Sequence, residues 1–222
     1  MNYLTHFLAD HQKNRPLYNF GLALPDLLNV SKRGWKPDHS LFPSENVAAN
    51  EIWEGFKQHI ASDAYFHNTA LFTFQTKRLR KELEQIEPVT PGIRLFFVAH
   101  ILLEMLLDRH ILKTRPAIAG EFYENLDEVS EDDTNAFFAA AGIDTPERFF
   151  YFFGRFREAQ YLYSYLEDNG IFKSVNRLLE RTGQPRFPDE AENEFNKLVR
   201  REGDVLFEEF ESFLLNYEAI KQ

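Results

Sequence analysis

The chain contains no cysteine, which excludes disulfide bridges, thiolate metal ligands and thiol nucleophiles. Positive charge is in short supply: 25 Lys and Arg stand against 35 Asp and Glu, a formal charge of −10. Such a surface repels nucleic acid and anionic lipid at long range. Nucleic acid is therefore not an expected partner, and a phosphate-bearing one must be drawn by a local feature such as a bound cation. No run approaches the ~18 apolar residues of a membrane span. The opening stretch is broken by His6, Asp10 and His11 and has no small-residue cleavage site, so neither a signal peptide nor a membrane span is expected. A soluble cytoplasmic protein is the expectation. Strand-like alternation is scarce, and the ten glycines and ten prolines fall mostly between periodic segments.

Aromatic side chains are plentiful. They make up 15% of the chain, with 23 Phe among them, enough to fill a sizeable core and to exclude intrinsic disorder. A length of 222 residues suits a single compact domain over 1–222. Helical periodicity dominates. Phe195, Leu198, Val199, Leu206, Phe210, Phe213, Leu214 and Tyr217 recur at three, four and seven, as do Ile93, Phe96, Phe97, His100, Leu103, Leu107 and Ile111 after Thr90-Pro91. Further helices are expected from Pro146 to Leu166, rich in aromatics and read as core, and from Ile171 to Thr182, closed by Gly183. Two more run from Glu45 to Leu71, with Ser44 as cap, and from Asp132 to Ala141, ending at Gly142. Val30 to Pro43, with Gly34 and Pro37, reads as a loop. Lys77, Arg78, Arg80 and Lys81 form a basic cluster read as a solvated helix face. The expectation is an all-α multi-helix bundle of roughly eight to ten helices.

Histidine is where the chain becomes specific. His59, Asp63 and His67 are spaced i, i+4, i+8; each step rises ~6 Å and drifts about 40° around the axis, so all three leave one helix face. His100, Glu104 and Asp108 repeat the spacing. His6, between Leu4 and Leu8, and Asp26, within an apolar run, are polar residues in apolar company, which is costly unless a cation or hydrogen bonds compensate. Histidine four residues from a carboxylate can offer two ligands to one divalent cation, although the same spacing also serves surface ion pairs. Nitrogen and oxygen donors without sulfur suit manganese, iron, zinc or magnesium. A cation of this kind acidifies water and neutralises a phosphoryl oxygen, which makes phosphoester hydrolysis the natural reaction class.

Several segments resemble the acyl carrier protein phosphodiesterase family. They are Asn2 to His6, Gly21 to Asp26, Gly55 to Asp63 and Glu104 to His110, with Tyr165 to Glu167 and Leu206 to Phe210 in the tail. The resemblance implies a helical fold distantly like that of the HD phosphohydrolases, a divalent cation, typically manganese, and acyl carrier protein as partner. The reaction it implies is cleavage of the phosphodiester that joins phosphopantetheine to a serine of the holo carrier. By position it implies metal or catalytic roles for His6, Asp26, His59, Asp63 and Glu104, with Asp63 and His59 the catalytic pair. His67, Asp108 and His110 are additional candidates. The chain departs from the pattern at His100, where a carboxylate is expected, and at Glu104, which replaces an aspartate; both remain able to bind metal. The order His6, Asp26, His59, Asp63, His67, His100, Glu104 is also similar to the ligand order of zinc-dependent phospholipase C and its nuclease relatives. A helical binding protein without catalysis is the third reading.

Overall fold

Helix breaks, more than helix faces, set the architecture of this chain. The computed structural model describes residues 1–31, 35, 38–88, 90–143, 147–167 and 169–220. Among these there is no strand, and eleven α-helices follow one another: α1 Tyr3–Asp10, α2 Pro16–Ser31, α3 Val47–His67, α4 Ala70–Leu83, α5 Leu95–Thr114, α6 Ala117–Asp127, α7 Glu131–Ala140, α8 Glu147–Ala159, α9 Gly170–Arg181, α10 Glu192–Val205 and α11 Phe207–Ile220. Short 3-10 turns lie at His39–Leu41, Tyr161–Leu166 and Asp189–Ala191. The chain is all-α, as its periodicity predicts.

Three long periodic segments are each divided. The helix expected to continue to Leu71 ends at His67, because Thr69 turns its Oγ1 to accept from the Phe72 amide at 3.1 Å and starts α4. The cap of α3 is Asn46, whose Oδ1 accepts from the Ala49 amide at 2.9 Å; Ser44 instead bonds Asn46 through its hydroxyl. The aromatic helix stops at Ala159, where Gln160 takes a φ of 42° before the 3-10 turn. The final run breaks at Leu206, three residues after Gly203, into α10 and α11. α5 starts at Leu95 rather than at Ile93. The closing glycines behave as expected, with Gly142 at φ 64° and Gly183 at φ 73°. Gly34, Pro37 and Pro146 lie outside the described residues.

The chain divides into two compact units. The first comprises Met1–Ala64 and Pro116–Tyr161. Here α2 packs on α1, α6 and α8 around Leu4, Phe20, Leu24, Phe122, Phe138 and Phe153, all buried. Edge and tilted ring contacts knit this core, such as Phe138 on Phe149 at 4.9 Å and Phe20 on Phe153 at 5.4 Å. Phe149, Phe153 and Phe156 thus serve as core, while Tyr151 on the same helix is 76% exposed. In this unit α2 crosses α3 very closely: a Cβ on Gly55 would lie 1.9 Å from the Tyr18 carbonyl oxygen, and one on Gly21 would lie 2.2 Å from that of Ile52.

The second unit comprises Tyr65–Arg115 and Leu162–Gln222. Its centre is α5, which packs on α4, α9, α10 and α11. That position explains why α5 is apolar nearly all round, with Val98, Ala99, Leu102, Leu103, Leu106 and Ile111 buried. The basic cluster on α4 is only partly a solvated face. Arg80 pairs with Glu84 at the surface, but Arg78 turns inward to Glu202, a carboxylate 1% exposed, at 2.5 Å. The sequence gives no sign of this, since Glu82 stands at the i+4 position while the actual partner lies 124 positions away.

Candidate metal centre

α5 is embedded in its unit, so a polar residue on it must find partners there. His100 and Glu104 lie one turn apart on α5, and the His100 Nε2 stands 3.0 Å from Glu104 Oε1. His67 closes α3; its last turn belongs to the second unit. Its Nε2 reaches the same Glu104 oxygen at 3.2 Å. Phe72, one turn into α4, lies against both imidazoles, with ring centroids 4.5 Å from His67 and 4.9 Å from His100. The two imidazoles face each other edge to plane at 4.7 Å. Glu104 is buried, while the His67 and His100 side chains keep about a quarter to a third of their surface in water (30% and 27%).

The electrostatics favour an ionised carboxylate. Burial pushes the Glu104 carboxyl upward, but nearby positive charge and the hydrogen bonds from His100 and His67 outweigh it and hold the group well below its usual range. One donor atom from each of His67, His100 and Glu104 lies within 4.8 Å of the others. Two ligands at ~2.1 Å from one ion, subtending a right or tetrahedral angle, stand about 3.0–3.4 Å apart. The two nitrogen–oxygen separations fall on this spacing, so the three side chains could hold a divalent cation in place of the two Nε2 protons. Two imidazoles and one carboxylate form a known hydrolytic donor set, and they leave positions open.

The other sequence candidates on α5 behave differently. His110 is buried and its Nε2 lies 2.5 Å from Glu211 Oε1. The same carboxylate is gripped by Arg115 at 2.8 and 2.7 Å. His110 therefore helps fasten α11 to α5. Asp108 is fully buried further along the helix, outside the three-residue donor group.

The first unit gathers His6, His59 and Asp63. The close α2–α3 crossing brings the Leu22 carbonyl to His59, whose Nδ1 donates to it at 2.7 Å. In the neutral ring this fixes the tautomer and leaves Nε2 as the basic atom. His6 on α1 is fully buried and stacks on His59 with centroids 3.8 Å apart, and its Nε2 lies 3.9 Å from Asp63 Oδ1. Asp63 also pairs with the Met1 α-amino group. Asp26 sits half-buried on α2 directly after Pro25. One residue that the sequence did not mark as a site candidate joins this region: Asp10, buried, accepts from Ser62 Oγ at 2.7 Å and from Gln58 Nε2 at 3.0 Å. Glu211 was likewise not legible as a partner of histidine, because it lies 101 positions from His110.

No family model, curated protein or solved structure matches the chain. Among the described residues, no helix is long and apolar enough to cross a membrane.

Proposed function

We propose that the chain is a metal-dependent hydrolase of phosphodiesters, with His67, His100 and Glu104 holding the cation. The observation that carries this reading is the convergence of two imidazole nitrogens on one oxygen of a buried, ionised carboxylate. A divalent cation bound there would supply an acidified water and neutralise charge on a phosphoryl oxygen. The protein's own part is to present two imidazole nitrogens and one negative oxygen at fixed spacing. Phe72 walls both rings and limits the rotamers open to them. The resemblance narrows the substrate to the phosphopantetheine arm of holo acyl carrier protein and the metal to manganese. It also adds His6, Asp26, His59 and Asp63 as functional positions.

The test is hydrolysis of a generic aryl phosphodiester and of holo acyl carrier protein by the manganese-loaded chain, beside Glu104→Gln and Asp63→Ala. Turnover that needs manganese and is lost in Glu104→Gln is the expected result. Loss in Asp63→Ala as well supports the roles taken from the resemblance. Cleavage of the aryl ester with holo carrier protein untouched would keep the reaction class and discard the substrate. Absence of turnover on both would end the proposal.

A second reading has its own support. The three side chains already satisfy one another by hydrogen bonds, as a purely structural polar cluster in a helical binding protein would. In that case manganese or zinc should leave the melting temperature unchanged, whereas a cation bound to the folded state raises it with concentration.

A further inference from the structure

A cavity of about 470 Å³ in the second unit lies apart from the histidine–glutamate cluster in sequence, and its size falls within the range of small-molecule sites. Its floor is made by buried Phe172 and Asn176 on α9. Asn176 is fully engaged: its Oδ1 accepts from the Phe187 amide at 2.9 Å and its Nδ2 donates to the Phe187 carbonyl at 3.2 Å. The turn bearing Arg186 is thereby pinned to α9.

The lining carries three cations, Lys173, Arg177 and Arg186, and three carboxylates, Glu180, Asp189 and Glu192, and they are unevenly paired. Arg186 is occupied by Glu180 at 3.3 Å and Asp189 at 3.8 Å. Glu192 accepts from Asn169 Nδ2 at 3.1 Å. Lys173 and Arg177 also line the cavity, are exposed, and make no ion pair among the described residues. They sit one turn apart on α9, where like charges at i, i+4 repel across about 5–6 Å. In a chain of net charge −10, two cations outside any ion pair among the described residues face one hollow.

We infer that this cavity binds the phosphoryl group of a small phosphorylated molecule. The dianion is held between the Arg177 guanidinium fork and the Lys173 ammonium, a pairing of bidentate and point-charge donors suited to phosphate. The acceptor side of the rim, Glu180, Asp189 and Glu192, then faces the remainder of the ligand and favours hydroxyl or ammonium groups there. This inference stands independently of the metal centre.

The test is a titration of the isotope-labelled full chain, followed by amide resonances, at constant ionic strength and with a chelator present to remove any metal-held phosphate. Glycerol phosphate and inorganic phosphate are the probes, with succinate as the carboxylate comparison. Saturable shifts confined to α9 and the Asp189–Ala191 turn are expected, with affinity falling about tenfold in Arg177→Gln and again in Lys173→Gln. Lys197→Gln, which removes an exposed cation already paired with Glu194, should bind as the unaltered chain does. Arg177→Lys keeps the charge but not the fork, and should weaken binding less than Arg177→Gln. Shifts that fail to saturate, unaltered affinity in Arg177→Gln, or succinate binding as tightly as phosphate would overturn the inference.

Discussion

Two helices carry the same spacing, histidine followed four residues later by a carboxylate, and the two pairs end in different chemistry. On α5 the pair closes on itself: His100 bonds Glu104, and His67 joins at the same oxygen. On α3 the pair opens: His59 turns to the Leu22 carbonyl, and Asp63 turns to the Met1 α-amino group with His6 nearby. The spacing guarantees only a shared face. What a pair becomes depends on which neighbour competes for each donor. On α3 a backbone carbonyl, brought close by two facing glycines, wins the imidazole proton. On α5 the surroundings are Leu, Ile and Phe, so the carboxylate is the strongest acceptor available.

The largest test of this contrast is at Gly55. An added Cβ would meet the Tyr18 carbonyl oxygen at 1.9 Å, and backbone cannot yield as a side-chain tip does. Gly55→Ala should destabilise the protein by about 3 kcal/mol or more and free His59 from Leu22. Urea unfolding, with the His59 imidazole followed by NMR, reads both effects. A near-neutral Gly55→Ala would mean that the crossing does not hold the His59 geometry.

An intermediate effect separates the two groups by metal affinity. Glu104→Gln keeps the shape but removes the negative oxygen, and should weaken manganese or zinc binding by about 100-fold. Asp63→Asn, in the other group, should change that affinity by less than about tenfold if the two groups work separately. Isothermal titration of both variants decides it, and equal losses would show that the contrast in metal affinity does not hold.

The smallest effect sharpens the contrast along α5 itself, where His110 meets Glu211 instead of a neighbour on its own helix. Hydrogen bonding from Arg115, against some desolvation, and then from His110 lowers the Glu211 carboxyl to about 2. In the unfolded chain a glutamate titrates near ~4.3. Its contribution to stability is therefore complete above about pH 5 and is lost as pH falls toward the folded value. Glu211→Gln should flatten the dependence of melting temperature on pH between about 5 and 2, lowering the melting temperature above about pH 5 and changing it little near pH 2. An unchanged acid limb would show that the Arg115–Glu211 pair is solvated and contributes nothing.

Much of this was legible in the sequence for a simple reason: periodicity and glycine placement are local. The all-α class, the buried faces of α5, α8 and α10, and the ends at Gly142 and Gly183 follow from residues within one or two turns of each other. The shared faces of His59 with Asp63 and of His100 with Glu104 are local in the same sense. Helix breaks were less legible. Thr69 caps α4 by one hydroxyl, and the chain turns at Gln160 and Leu206 without proline, so the apolar pattern runs on through each break.

Only the tertiary structure decided partners. His67 and Glu104 are 37 positions apart, His110 and Glu211 are 101 apart, and Arg78 and Glu202 are 124 apart. Nothing in the local pattern distinguishes a histidine that will meet a carboxylate from one that will meet a carbonyl. The sequence by itself determined which residues could act as ligands, because residue type and helical spacing are written in it. Which of them converge was decided by packing, since a buried polar atom bonds whatever acceptor the folded chain brings within about 3 Å.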